Sequence, residues 1–250
     1  RFVTDSPTLA ITARAKKMKA EGKDVISLSI GEPDFPTPEH IVKAAKEALD
    51  RGATKYTPAA GIPELREAVA RSVAVSHELP GLTGDHVIVS AGAKHSIYNA
   101  MMVILNLGDE VIIPAPDWLS YPVIVTLASG IPVFVPTTLE ERFVLSPDKL
   151  RAAITRRTRM IILNNPGNPT GTVYNRRELK GLYDVIMEYP NIMVLADDIY
   201  GKLIYGNGKF CSGASFSGDA AKRTVIIDGV SKSYSMTGWR IGFSVARRTV

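Results

Sequence analysis

Six short apolar runs, rich in β-branched residues, punctuate the chain at 87–89, 111–113, 133–135, 160–163, 192–195 and 225–227. Each run is continuous rather than alternating, which predicts strands covered on both faces. Between them lie longer stretches, 94–105, 119–128, 148–154 and 178–189, with the apolar spacing of amphipathic helices. Upstream, Ile41, Ala44, Ala45, Ala48 and Leu49 fall at i, i+3, i+4, i+7 and i+8, one face of a helix. That helix is predicted to start at Thr37-Pro38-Glu39, with Thr37 as the cap and Pro38 at the first helical position. A second helix begins at Pro63 and runs over 63–75. Alternation of this kind predicts an α/β fold of three layers, α/β/α, around a mostly parallel sheet. Ligands of such sheets bind beyond the carboxyl ends of the strands.

Composition changes this picture little. At 250 residues, 45% hydrophobic and 22% charged, the chain can hold one large α/β domain plus part of a second. The net charge of +5 is spread widely. Its densest basic groups, Arg156-Arg157 with Arg159 and Arg247-Arg248, are too short for a nucleic-acid stripe, so no nucleic-acid partner is expected. Cys211 is the sole cysteine, which excludes an intrachain disulfide and favours a reducing compartment. The first residues show no signal-peptide pattern, and no apolar run approaches the roughly 18 residues of a membrane span. The expectation is a cytoplasmic protein with no membrane contact. The four histidines, at 40, 77, 86 and 95, lack metal-ligand spacing, so no metal is expected.

Residues capable of chemistry gather where the apolar runs end. After 225–227 comes Ser231-Lys232-Ser233-Tyr234-Ser235-Met236-Thr237-Gly238-Trp239-Arg240. A lone lysine after a strand ordinarily faces solvent. A nucleophilic one needs a neutral amine, which cationic neighbours and partial desolvation favour, and an arginine fork suits a phosphate dianion. After 160–163 comes Asn164-Asn165-Pro166-Gly167-Asn168-Pro169-Thr170-Gly171, the composition of a rigid turn. After 192–195 comes Ala196-Asp197-Asp198-Ile199-Tyr200; acidic pairs in such places commonly cap helices or bind metals. Between 87–89 and the helix from Lys94, Ser90-Ala91-Gly92-Ala93-Lys94-His95 puts small residues where backbone N–H groups can approach a phosphate. Dinucleotide, P-loop and hydrolase-elbow motifs are absent.

Together these four segments closely resemble the pyridoxal-phosphate (PLP) dependent class I/II aminotransferases, the fold type I aspartate aminotransferase superfamily. The resemblance implies that Lys232 binds the PLP aldehyde and Arg240 its phosphate, with the backbone of Ala93 and Lys94 completing the phosphate cup. It places Asp197 on the pyridine nitrogen, and Tyr200 and Asn168 on the 3′ oxygen. A buried anion there keeps the nitrogen protonated and the ring an electron sink. Trp118, in Pro116-Asp117-Trp118-Leu119-Ser120-Tyr121-Pro122, matches the aromatic residue stacked on the cofactor. Tyr56, in Thr54-Lys55-Tyr56-Thr57-Pro58, matches a tyrosine that reaches the phosphate in the partner subunit, which implies a homodimer with shared sites. Gly31 matches a glycine near the substrate carboxylate, so Gly31, Trp118, Asn168 and Lys94 form the implied substrate set. Lys94 is the position that meets an acidic substrate side chain in one bacterial-type branch; an ordinary helix-start lysine is the competing assignment. Gly167 departs from the family, which often has a second asparagine there, and Asp198 is assigned a supporting role.

The resemblance covers nearly the whole chain, but family members continue past this point. The expected division is an N-terminal arm and part of a small domain over 1–40, a PLP-binding large domain over 41–250, and a C-terminal small domain not included. The arginine that meets the substrate α-carboxylate in relatives has no counterpart here. The implied activity is amino transfer between an L-amino acid, aspartate first, and a 2-oxo acid, 2-oxoglutarate first. Alternatives are a C–S lyase, an aromatic, alanine or prephenate aminotransferase, or a non-catalytic PLP-binding fragment.

Overall fold

The computed structural model describes residues 7–29 and 31–247. Those parts of the expected 1–40 and 41–250 units at 1–6, 30 and 248–250, Arg248 included, lie outside the described residues. The order is α1 (Pro7–Ala20), α2 (Glu39–Asp50), α3 (Pro63–Ser76), β1 (Val87–Ser90), α4 (Ala93–Ile104), β2 (Glu110–Ala115), α5 (Ser120–Leu127), β3 (Ile131–Pro136), α6 (Pro147–Ala153), β4 (Thr158–Asn164), α7 (Arg176–Met187), β5 (Met193–Asp197), α8 (Gly218–Arg223), β6 (Thr224–Gly229) and β7 (Gly242–Val245). The strands form a seven-stranded sheet in the order β1-β7-β6-β5-β4-β2-β3. Neighbours β2 to β6 are parallel, while β7 runs antiparallel to both β6 and β1.

The predicted alternation of strands and helices is therefore present, on a mostly parallel sheet. Helices α4 and α5 cover one face, packing Ile97, Met101, Tyr121 and Ile124 on Val111, Ile113, Ile162, Leu195 and Ile227. On the other face, α6 and α7 pack Leu150, Leu179, Leu182 and Ile186 on Ile112, Ile161 and Val194. There α3 adds Val69, Ala70 and Val73 against Val87, Ile226 and Val245. Each large aliphatic side chain buried in this way contributes roughly 1.5–3 kcal/mol. Every residue of β5 is buried, as expected of a strand covered twice. The edge strands differ from expectation: Ile88 on β1 and Phe134 on β3 are exposed, because an edge strand lacks a helix over part of each face.

Local chemistry explains most boundaries. Helix α7 starts at a reciprocal cap, in which the Asn175 side chain accepts from the Glu178 N–H at 2.9 Å and the Glu178 carboxylate accepts from the Asn175 N–H at 2.9 Å. The start of α2 corrects the sequence expectation. Pro38, not Thr37, occupies the cap position, and no side chain caps the helix. The Thr37 hydroxyl is engaged elsewhere: it donates to the Ser235 carbonyl at 2.6 Å and accepts from Trp239 Nε1 at 3.0 Å. The segment before α2 is thereby fastened to the loop that carries Lys232. No residue of α2 is buried, and its Leu49 is exposed.

Candidate functional site

Because β7 is antiparallel, its first residue lies at the same sheet edge as the carboxyl ends of β1 and β6. Ser90 and Gly229 both pair with Gly242 in register. Gly242 packs against the start of α4 so closely that a Cβ would stand 2.2 Å from the Ala93 nitrogen. Arg240, two residues earlier, turns with a left-handed backbone (φ 56°) and reaches Gly92, where a Cβ would meet its Nη2 at 2.4 Å. The glycines thus set a guanidinium beside the first turn of α4, whose Ala93 and Lys94 N–H groups have no intrahelical acceptors. Cation and helix N-terminus together form an anion cradle.

Lys232 follows β6. Its Nζ donates to the Gly31 carbonyl at 2.6 Å, which joins the N-terminal segment to the lysine loop. Burial lowers its amine pKa, Glu32 opposes this, and Arg240 adds a further lowering. The Thr237 hydroxyl also bonds the Glu32 carboxylate. Lys94 is likewise lowered, first by burial and then by Arg240. Its Nζ lies over the Trp118 ring, 4.9 Å from the centroid. Trp118 in turn stands edge-on to Tyr121, with ring centroids 5.2 Å apart.

Tyr121 leads to the acidic end of the site. Its hydroxyl donates to Asp197 Oδ2 at 2.6 Å, and the Ile199 N–H reaches Oδ1 at 3.4 Å. Asp197 is only 3% exposed and has no ion-pair partner among the described residues. Burial pushes its carboxyl up to about 6, against the pull of those two donors. The neighbouring loop is tied to the same strand end: Asn164 Nδ2 donates to the Asp197 carbonyl at 2.8 Å, and Asn164 Oδ1 accepts from the Asn168 N–H at 2.7 Å. Asn168 Nδ2 then meets the Tyr200 hydroxyl at 3.3 Å. Burial, then the Asp197 charge, raises the Tyr200 phenol.

A continuous path of contacts and charge interactions therefore runs from Gly31 through Lys232, Arg240, Lys94, Trp118, Tyr121 and Asp197 to Tyr200 and Asn168. Ala93 lies on it at the α4 start. Tyr56 does not join: its side chain stands free at 107% exposure. Asp198 points to the opposite face from Asp197 and bonds His77. The sequence reading missed the bond from Tyr121, although it quoted that tyrosine in the Trp118 segment; Tyr121 stands in the first turn of α5. It also missed Asp117, whose buried Oδ2 has no partner and borders a cavity of ≈ 40 Å³ with Tyr121, Asn164 and Asn168. No group of three or more His, Cys, Asp or Glu side chains suited to a metal exists among the described residues.

The donor set suits a flat, phosphorylated, cationic ring. The glycine-lined cradle takes the anion, Trp118 offers an aromatic face, and the uncompensated Asp197 carboxylate calls for a cation. The class I and II aminotransferase model matches residues 23–250, and the chain belongs to that family. Among its relatives, the aspartate aminotransferase of Geobacillus stearothermophilus is 48% identical over 248 residues, 99% of this chain and 63% of the relative. The aspartate/prephenate aminotransferase of Nitrosomonas europaea is 46% identical over 241 residues, covering 96% of this chain and 60% of that one. Among solved structures, the aspartate aminotransferase of Thermus thermophilus with maleate superposes with a TM-score of 0.93 at 42% identity, over 97% of this chain and 62% of the other. The chain thus spans about three-fifths of the length of these relatives.

Proposed function

We propose that the protein binds pyridoxal 5′-phosphate and transfers the amino group of an L-amino acid, aspartate by preference, to a 2-oxo acid such as 2-oxoglutarate. The observation that carries this is the gathering at one end of the sheet of an anion cradle, a lysine amine of lowered basicity and a buried, unpaired carboxylate. Bound there, PLP would supply an electron sink for charge developing at the substrate Cα. Arg240 and the Ala93 and Lys94 N–H groups would hold its phosphate, and Trp118 its ring face. Asp197 would hold the proton on the ring nitrogen, oriented by Tyr121. Tyr200 and Asn168 would donate to the 3′ oxygen.

Lys232 has two tasks that its geometry supports. Its Nζ would hold the cofactor through its aldehyde carbon, the aldehyde oxygen leaving as water, and as a free amine would carry the proton off the substrate Cα. Partial burial and the nearby Arg240 charge favour the neutral amine that both tasks require. The Gly31 carbonyl, already a partner of Nζ, borders the place assigned to the substrate carboxylate. Lys94 supports an acidic substrate, and the names of the relatives agree with aspartate.

The wider arrangement is part of the same proposal. Residues 1–40 form the arm and part of a small domain, and 41–250 the large domain. The exposed Tyr56 and the uncovered α2 support a homodimer with shared sites. No described helix is long and apolar enough to cross a membrane, and we place the protein in the cytoplasm. The test is product analysis on the full-length protein with PLP. Glutamate and oxaloacetate from aspartate and 2-oxoglutarate are expected. Ammonia and pyruvate from a sulfur amino acid would mark a C–S lyase instead, and faster turnover of prephenate would move the preference. PLP retained without turnover would mark a non-catalytic binder.

A further inference from the structure

Two adjacent carboxylates leave the end of β5 in opposite directions, as strand alternation requires. Asp197 meets Tyr121 on the face covered by α4 and α5, whereas Asp198 enters the face covered by α3 and α7. There His77, just past the end of α3, places Nε2 3.1 Å from Asp198 Oδ2. Both are sealed from water, at 3% exposure for His77 and 4% for Asp198. The Phe210 ring closes over the imidazole edge-on at 4.9 Å.

Two contacts of the Ser76 hydroxyl bear on where the protons are: 2.9 Å to the Ser72 carbonyl and 2.8 Å to His77 Nδ1. With the hydroxyl hydrogen on the Ser72 carbonyl, the second contact is donated by the ring. With Nδ1 protonated, the short approach of Nε2 to Oδ2 needs a second proton between them. Whether that proton rests on nitrogen or oxygen, the pair carries no net charge.

We propose that His77 is a positioning residue for the cofactor site: paired with Asp198 behind the strand end, it keeps this second carboxylate electrically silent, so that Asp197 alone titrates against the cofactor's ring nitrogen. The inference rests on the PLP reading above. Around the pair stand Asp228 at the end of β6, Tyr183 from α7, Cys211, and at the rim the Glu78–Arg176 ion pair at 3.4 Å. Asp228 is itself held up at about 7, chiefly by burial, with Asp198 raising it and His77 lowering it. The Asp198 charge pushes Asp228 and, one residue away, Asp197 upward, and without His77 beside it that push would have no counter-charge.

The experiment has one arm that needs no cofactor and one that does. In the full-length protein, the imidazole nitrogen NMR spectrum of His77 at neutral pH is expected to show Nδ1 protonated and Nε2 either protonated or sharing a proton with Asp198. A bare Nδ1 would leave the pair charged and overturn the proposal, whatever the cofactor. In the PLP-loaded protein, His77→Gln is expected to move the pH midpoint of the cofactor's visible band by about half a unit or more. The double variant His77→Gln with Asp198→Asn, in which neither side chain ionises, is expected to restore it. A merely structural role predicts lower stability at every pH, an unmoved midpoint and no rescue, and that result would also overturn the proposal. Should His77→Gln not fold, Asp198→Asn and the NMR arm decide it. Failure to bind PLP would sink the proposed function, while the NMR arm still decides the protonation of the pair.

Discussion

The sheet-borne and arm-borne halves of the site are held in different ways. Asp197, Asn168, Tyr200, Trp118 and Arg240 stand at strand ends or on helices packed against the sheet, and their partners are inside the chain. Asp197 in particular is fixed by a buried strand, two hydrogen bonds and a neighbouring loop. The residues before α3 are placed by a few polar contacts: Gly31 by Lys232, Glu32 by Thr237, Thr37 by Ser235 and Trp239. Tyr56 has no such contact and is fully exposed. The rigid half therefore defines which cofactor fits, whereas the arm contributes only through what docks against it.

The largest expected effect lies at Lys232, which bonds the arm from the sheet-borne half. Lys232→Ala would remove the proposed covalent anchor and proton carrier together with the bond to Gly31. Turnover is expected to fall by at least about a thousandfold, within the range for a lost acid–base group, read from steady-state rates on the full-length protein. Retained activity would end the assignment. Asp197→Asn comes next and separates function from folding. Activity and cofactor affinity should each drop about a hundredfold, since under the proposed function the ring nitrogen would lose its anion. The cofactor-free protein should instead gain stability above neutral pH. A carboxyl moved from 3.8 to about 6 keeps its proton longer folded than unfolded, so its contribution is complete below about pH 4 and is lost as pH rises through 6. Relative to wild type, Asp197→Asn should be more stable by on the order of 1–3 kcal/mol at pH 8 and equal near pH 4. Denaturant titrations at the two pH values check this.

The rigid half was legible in the sequence because its residues sit at fixed offsets from apolar runs that could only be strands. Lys232, Asp197 and Asn168 follow such runs within a few residues, so motif and element support each other. What escaped was decided by contacts distant in sequence. The Thr37 hydroxyl looked like a helix cap until its bonds to Ser235 and Trp239, some 200 residues away, were visible. Strand β7 is only four residues long and begins with glycine, too short to register as an apolar run. Helix α1 has too little apolar periodicity to predict. The bond between His77 and Asp198 spans 121 positions, and nothing local announces it.

Smaller changes sharpen the contrast within the rigid half. Gly92→Ala places a methyl against the Arg240 guanidinium and asks alanine to adopt φ 89°. Phosphate-end affinity should fall about tenfold, with a stability loss on the order of 1–2 kcal/mol, measured as PLP dissociation and thermal unfolding. Tyr121→Phe removes the 2.6 Å bond to Asp197 and should raise that carboxyl further. The cost is about 1–3 kcal/mol, typical of a hydrogen bond to a buried charged group, and it should appear above pH 6, where Asp197 is ionised.

The smallest change tests the arm. Tyr56→Phe deletes a hydroxyl that touches nothing within its own subunit, so the stability of the monomer should shift by less than about 0.5 kcal/mol. If the site is shared between two copies, the same hydroxyl lies on the partner's phosphate, and PLP affinity should fall severalfold only under conditions where the dimer persists. Dilution through the dimer dissociation range, with PLP binding followed in parallel, separates the two contributions. An equal affinity loss in monomer and dimer would place Tyr56 in its own subunit's site. No loss in either would remove it from the cofactor set, leaving the anion cradle to Arg240 and the start of α4.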